Sequence, residues 1–169
     1  IRCLYVAPRH YYYYDDLGFI GIAVQSNVDD MYLGNVFTKK TEKDEVLNKV
    51  SFASYESGVS YKVYFADNGS LTNYSEIASG TTDHMGYETI KLDKLVQIKK
   101  GDKFKVTFKN MLYVANDLRI HPQPGLSFVS DNGKEWEDLS KVLFIGILKA
   151  YTVSDFNITD NLVKYYGND

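Results

Sequence analysis

In the stretch 103–109, Phe104, Val106 and Phe108 alternate with Lys105 and Thr107, so an extended chain turns the three apolar side chains to one face. Runs of this kind recur along the chain, at 19–24, 32–38, 47–54, 60–66, 76–81, 87–92, 95–99, 104–108, 126–130 and 142–153. Turn formers such as Asp67-Asn68-Gly69-Ser70 and Lys100-Gly101-Asp102 separate them. In Tyr61-Lys62-Val63-Tyr64-Phe65-Ala66 aromatic rings occupy both faces, which suits a central strand. The only helix-like stretch, 43–48, is short and runs straight into strand residues. About ten short strands with regular turns predict an all-β fold. A sheet buries its apolar face most simply against another sheet, so the expected architecture is a two-sheet antiparallel β-sandwich, jelly-roll-like.

The strongest turn signal is Asn132-Gly133, inside Phe128-Val129-Ser130-Asp131-Asn132-Gly133-Lys134-Glu135-Trp136. An Asn-Gly pair between strand-like runs predicts a type I′ hairpin, in which both central residues need positive φ. The spacing Asp131-x-Gly133-x-x-Trp136 resembles the Asp-box turn of β-propeller and surface-hydrolase proteins, where the Asp braces the hairpin and the Trp packs beneath it. Trp136 is therefore expected as a core plug rather than a sugar platform.

With 169 residues the chain suits one domain with a sizeable core. Its 15 Tyr and 9 Phe fit a β-protein with phenol groups reaching the surface. A net charge of −3 gives no general attraction to nucleic acid or anionic membrane, and no stretch has the apolar length of a bilayer span. Seven lysines fall between Lys91 and Lys109 against two aspartates. They read as a patch for a polyanion or, more simply, as charges that keep edge strands from pairing. The chain lacks an initial Met and reads as a segment of a longer protein. Residues 1–9 are expected as a linker, 10–153 as the domain, and 154–169 as a linker leading to a further module.

Catalytic chemistry finds little support. Cys3, alone and at the end, has no partner for a disulfide and no setting for a thiol nucleophile. His10, His84 and His121 share no metal-ligand spacing and read as loop or hydrogen-bonded surface residues. The acidic pairs Asp15-Asp16 and Asp29-Asp30 and the group Glu135/Glu137/Asp138 read as turn residues. Of these, Asp15 and Asp16, before Leu17-Gly18, are the candidate calcium ligands, because calcium gathers carboxylates and carbonyls readily. Tyr11-Tyr12-Tyr13-Tyr14 puts two rings on each face of an extended segment. Sugars stack on such rings, and Tyr12, Tyr14, Tyr32 and Tyr113 form the candidate ligand-binding set. Packing of the same rings on the sandwich edge or a neighbouring domain carries at least equal weight. Sequons at Asn68-Gly69-Ser70, Asn73-Tyr74-Ser75 and Asn157-Ile158-Thr159 permit a secreted setting.

An ordered series of short motifs carries a family resemblance. It runs through Tyr14-Asp15-Asp16-Leu17-Gly18-Phe19, Asn35-Val36-Phe37-Thr38, Val50-Ser51-Phe52 and Val63-Tyr64. It continues through Gly86-Tyr87-Glu88-Thr89-Ile90 and Gly101-Asp102-Lys103-Phe104, then Ser127 to Leu139, and ends at Leu148-Lys149-Ala150-Tyr151-Thr152. In order and spacing this resembles the lectin-like domain of papain-family cysteine peptidases from archaeal and clostridial cell surfaces. The tail Ile158-Thr159-Asp160-Asn161-Leu162-Val163-Lys164-Tyr165-Tyr166-Gly167 resembles the opening of Ig-like repeats in methanogen adhesin-like proteins.

The resemblance implies a sandwich like those of carbohydrate-binding modules, calcium in at least some members, an extracellular surface setting, and a cysteine peptidase attached in cis. The chain departs from the family pattern after Lys109, where Asn110-Met111-Leu112-Tyr113-Val114-Ala115-Asn116-Asp117 replaces a Pro- and Tyr-rich segment. The expectation is a non-catalytic module that binds carbohydrate or cell-wall polymer. The alternative is a structural module that packs on the attached peptidase and spaces it from a stalk.

Overall fold

The structure, a computed structural model, describes residues 8–15, 22–25, 30–54, 56–98, 103–109, 113–116 and 122–154, without the side chains of 22–25, 113, 115 and 116. Strands run Arg9–Tyr12 (β1), Ile22–Gln25 (β2), Tyr32–Thr38 (β3), Glu45–Ser54 (β4), Ser60–Asp67 (β5) and Ser75–Thr81 (β6). They continue as Gly86–Ile98 (β7), Lys103–Lys109 (β8), Tyr113–Asn116 (β9), Ser127–Ser130 (β10), Glu137–Asp138 (β11), Ile145–Gly146 (β12) and Leu148–Ser154 (β13). A single 3-10 turn at Leu139–Val142 is the only helical element among the described residues.

Two main sheets form, in the orders β1-β13-β4-β7 and β11-β10-β3-β8-β5-β6, with a three-stranded ladder β12-β9-β2 beside them. Every pairing is antiparallel, and the chain passes repeatedly from one layer to the other. The fold is therefore the expected β-sandwich. The helix-like stretch 43–48 instead enters β4, whose side chains from Glu45 to Asn48 are all buried; packing between two neighbouring strands overrides the local preference. The expected strands 87–92 and 95–99 fuse into the single 13-residue β7, with an irregularity in its pairing opposite Leu47/Lys49.

The core lies between the sheets. Phe104, Val106 and Phe108 of β8 are all inaccessible to solvent, as are Leu47, Val50 and Phe52 of β4. Phe52 meets Phe108 across the layers with ring centres 4.7 Å apart. Two buried polar groups stitch this interior. Asn35 donates Nδ2–H to Gly146 O at 2.9 Å and accepts from Ser127 Oγ at 2.7 Å, tying β3 to β10 and β12. Glu45, also inaccessible, accepts from Tyr12, Thr41 and Thr152 hydroxyls, tying β1, β4 and β13. Such groups are tolerated only with their hydrogen bonds made.

Phe104 contacts Tyr12, Phe37 and Phe65. Phe104→Ala should lower unfolding free energy by about 3–5 kcal/mol in denaturant titration, the usual cost of an unfilled aromatic site.

Candidate functional site

The pleat that sends Phe104, Val106 and Phe108 inward sends Lys105 and Thr107 to the opposite face of the six-stranded sheet. Both are nonetheless inaccessible to solvent, because aromatic side chains cover them. Tyr32 starts β3, Tyr64 lies on β5, Tyr74 precedes β6, and Trp136 ends the loop between β10 and β11. Tyr32 stands 6.1–6.4 Å from each of the other three, ring centre to ring centre, and Tyr64 and Tyr74 meet edge-on at 5.2 Å. All four rings are half-buried, so each still offers an edge or face to solvent.

The cluster is fixed from below and from the side. The Lys105 ammonium lies 3.8 Å from the Trp136 ring centre and 5.0 Å from that of Tyr74, and donates to Leu71 O at 3.4 Å. Among the described residues no carboxylate pairs with it, and burial pulls its pKa down to about 8. Gly34 leaves room beneath: a Cβ there would stand 2.7 Å from Thr107 Oγ1 and 3.3 Å from Lys105 Cδ. Burial raises the pKa of Tyr64 and of Tyr74, so both remain hydroxyl donors at ordinary pH. Tyr74 uses its hydroxyl on Gly133 O at 2.8 Å.

The Trp136 loop departs from expectation. Only Gly133 of the Asn132-Gly133 pair has positive φ, so the turn is not type I′. The connection is longer, and side chains brace it: Ser130 Oγ accepts from Gly133 N at 2.8 Å, and Asn132 Oδ1 accepts from Lys134 N and Glu135 N. Asp131, expected as the brace, is exposed. Trp136 plugs no core; it lies on the outer face as the lid over Lys105. Its indole Nε1 is buried without a hydrogen-bond partner.

The candidate residues separate. Tyr32 joins the cluster. Tyr12 is 2% exposed, packs on Phe37 and Phe104, and spends its hydroxyl on Glu45, so it presents no ring face to a ligand. Burial, and then Glu45, raise its pKa. Tyr14 stacks on Phe37 at 5.1 Å and donates to Val36 O; burial pushes its hydroxyl up to about 12. Alternation along the tyrosine run holds, but it is Tyr11 and Tyr13 that face solvent, 48% and 40% exposed. Tyr11 meets Tyr151 edge-on at 5.4 Å, and the Lys149 ammonium lies 5.2 Å from the Tyr13 ring centre. Tyr113 lies on β9 opposite Gln25, with its side chain outside the described residues.

Asp15 is 1% exposed and accepts from Tyr87 Oη at 2.6 Å and Lys149 Nζ at 3.3 Å. Burial, and then this carboxylate, raise the pKa of Tyr87. The second carboxylate oxygen, Oδ1, is buried without a partner. Asp16, Cys3 and His121 lie outside the described residues. No three His, Cys, Asp or Glu gather among the described residues, and an ammonium already faces Asp15.

The other groups take structural places. His10 bonds Ser154 Oγ at 3.0 Å and His84 bonds Tyr87 O at 3.1 Å. Asp30 pairs with Lys109 at 2.6 Å. Asp138 caps the 3-10 turn: burial works against its charge, but the N–H groups of Ser140 and Gly125 outweigh it and hold its pKa low. Asn68 and Asn73 are exposed between β5 and β6, and Asn157 lies outside the described residues. Lys91 and Lys94 fall on the edge strand β7 as the anti-pairing reading requires. Lys103, Lys105 and Lys109 do not, since β8 is flanked by β3 and β5.

A model of the lectin-like domain family matches residues 11–152. Among solved structures, the clostridial cysteine protease Cwp84 after propeptide cleavage superposes with a TM-score of 0.71 at 22% identity, over 86% of this chain and 40% of that one. The cysteine protease and lectin-like domains of Cwp84, a surface layer associated protein of Clostridium difficile, give 0.70 at 22% identity over 86% and 36%. At such identity the likeness is one of fold, and this chain spans less than half of either solved chain. No curated protein matches. No helix among the described residues is long and apolar enough to cross a membrane.

Lys105 generates a prediction about pH. Its pKa is about 8 folded against 10.5 ordinarily, so between those values the unfolded chain binds more protons and stability rises with pH. The penalty is full below the lower value, on the order of 3 kcal/mol, and gone above the upper one. In denaturant titrations, the stability of Lys105→Met relative to the parent should therefore fall between about pH 8 and pH 10.5. Comparing the two proteins cancels the tyrosines, whose raised pKa values act oppositely at high pH.

Proposed function

Since this chain belongs to the lectin-like domain family, we propose that it is a non-catalytic module that binds carbohydrate, such as a cell-wall polymer, and that it belongs to a cell-surface protein carrying a cysteine peptidase. The observation that carries the reading is the convergence of Tyr32, Tyr64, Tyr74 and Trp136 on one outer sheet face. Aromatic faces and edges receive the C–H faces of sugars, while nearby polar groups fix the hydroxyls. Here Lys62 and Lys109 border the rings, with Glu76 and Asp30 paired to them. Rigid strands hold most of these groups, so a ligand meets a preformed surface and little ordering is needed.

A second reading rests on a separate observation. Tyr11 and Tyr13, at the outer strand of the four-stranded sheet, are the most exposed rings among the described residues. They suit a contact with the peptidase domain in cis, in which the module holds the enzyme at its substrate or spaces it from the surface. The two faces belong to different sheets, so both roles are compatible.

Isothermal titration against a broad glycan and wall-polysaccharide panel should show saturable binding that Tyr64→Ala weakens by about tenfold, ~1.4 kcal/mol. Tyr11→Ala should leave that binding unchanged. A flat response across the panel would remove the carbohydrate reading and leave the peptidase contact as the module's role.

A further inference from the structure

Beside the aromatic cluster lies a shallow cavity of about 350 Å³ whose lining includes Ser60, Lys62, Ser79, Gly80, Thr81 and Lys109. Register places it against the rings. Lys109 stands directly opposite Tyr32 on one side and Lys62 on the other, and its ammonium is 5.5 Å from the Tyr32 ring centre. The Tyr61 hydroxyl lies over Gly80, where a Cβ would come within 2.5 Å of it. The lining therefore offers two ammonium groups and several hydroxyls, and it contains no carboxylate.

Both lysines have carboxylate partners that are themselves open to water. Lys62 meets Glu76 at 3.0 Å, with the Glu76 side chain 40% exposed. Lys109 meets Asp30 at 2.6 Å, with the Asp30 side chain 70% exposed. Exposed pairs of this sort contribute only ~0–1 kcal/mol, so a ligand anion displaces such a partner at little cost. Beneath the same face, Lys105 carries a buried charge that no carboxylate neutralises among the described residues. A positive face of this kind on a chain of net charge −3 is a local property and not a reflection of composition.

We propose that this cavity is an anion-binding subsite, which takes the carboxylate or phosphate of an acidic polysaccharide whose sugar rings lie on Tyr32, Tyr64 and Trp136. The inference rests on the carbohydrate-binding reading and adds the charge class of the ligand. Carboxylate and phosphate present the same acceptor oxygens to ammonium and hydroxyl groups, and the experiment separates them.

The test is titration of the chain with polygalacturonate, with poly(glycerol phosphate) and with neutral dextran at one ionic strength. At least one acidic polymer should bind about tenfold more tightly than dextran. The double variant Lys62→Gln/Lys109→Gln should lose that advantage. Lys91→Gln/Lys94→Gln, which removes as much charge from the edge of the other sheet, should keep it. Glu76→Gln, which removes the competitor of the ligand anion at Lys62, should strengthen binding. The polymer preferred identifies carboxylate or phosphate. Acidic binding no tighter than dextran, or unchanged in Lys62→Gln/Lys109→Gln, overturns the subsite. Neutral glycans that bind with Tyr64 sensitivity in the same series then leave the carbohydrate reading standing, and a chain that binds no polymer of either kind loses both.

Discussion

The two-residue period of β8 constrains everything else in this sandwich. Once Phe104, Val106 and Phe108 are committed to the interior, Lys105 and Thr107 must stand on the outer face, because successive side chains of a strand alternate. A slip of one residue would put an ammonium between the sheets and three apolar groups in water. The core therefore fixes where the lysines of the sheet face lie, and the outer surface has to accommodate them.

The accommodation is an aromatic lid. Lys105 reaches no carboxylate among the described residues, and its charge is met by the faces of Trp136 and Tyr74 and by one carbonyl. Cation–π contacts contribute about 2 kcal/mol or more when desolvated, which offsets part of the burial but leaves its pKa depressed. Thr107 Oγ1 and Trp136 Nε1, both without partners, sit in the same layer. Each polar group left unmet in this layer costs stability, because it forgoes the hydrogen bond it would make in water. The rings that shield Lys105 on one side are those that meet solvent on the other.

The interior solves its polar problem differently. Glu45 is as deeply buried as Lys105, yet three hydroxyls from Tyr12, Thr41 and Thr152 surround it. Asn35 is likewise satisfied by Ser127 and Gly146. These networks join strands far apart in sequence and leave nothing over for a ligand. Tyr12 belongs to them, and so it fails as a sugar platform although its residue type and neighbours suggest one. Tyr13, one position further along, faces water for the same reason of alternation.

Alternating runs such as 103–109 determined strand type, the face that is buried and hence the two-layer class, because period two is a property of the extended backbone itself. The ordered motifs likewise marked the family. Three-dimensional pairing alone decided the rest. Residues 45–48 became strand because β13 and β7 flank them, and the Asn132-Gly133 turn opened because Ser130 and Asn132 side chains brace a longer loop. Tyr32, Tyr64, Tyr74 and Trp136 are spread over about a hundred residues, and no local rule brings them together. Only the order β10-β3-β8-β5-β6 sets them side by side over Lys105. A surface of this kind is made by neighbours across strands, and that neighbourhood is written in hydrogen-bond register rather than in sequence spacing.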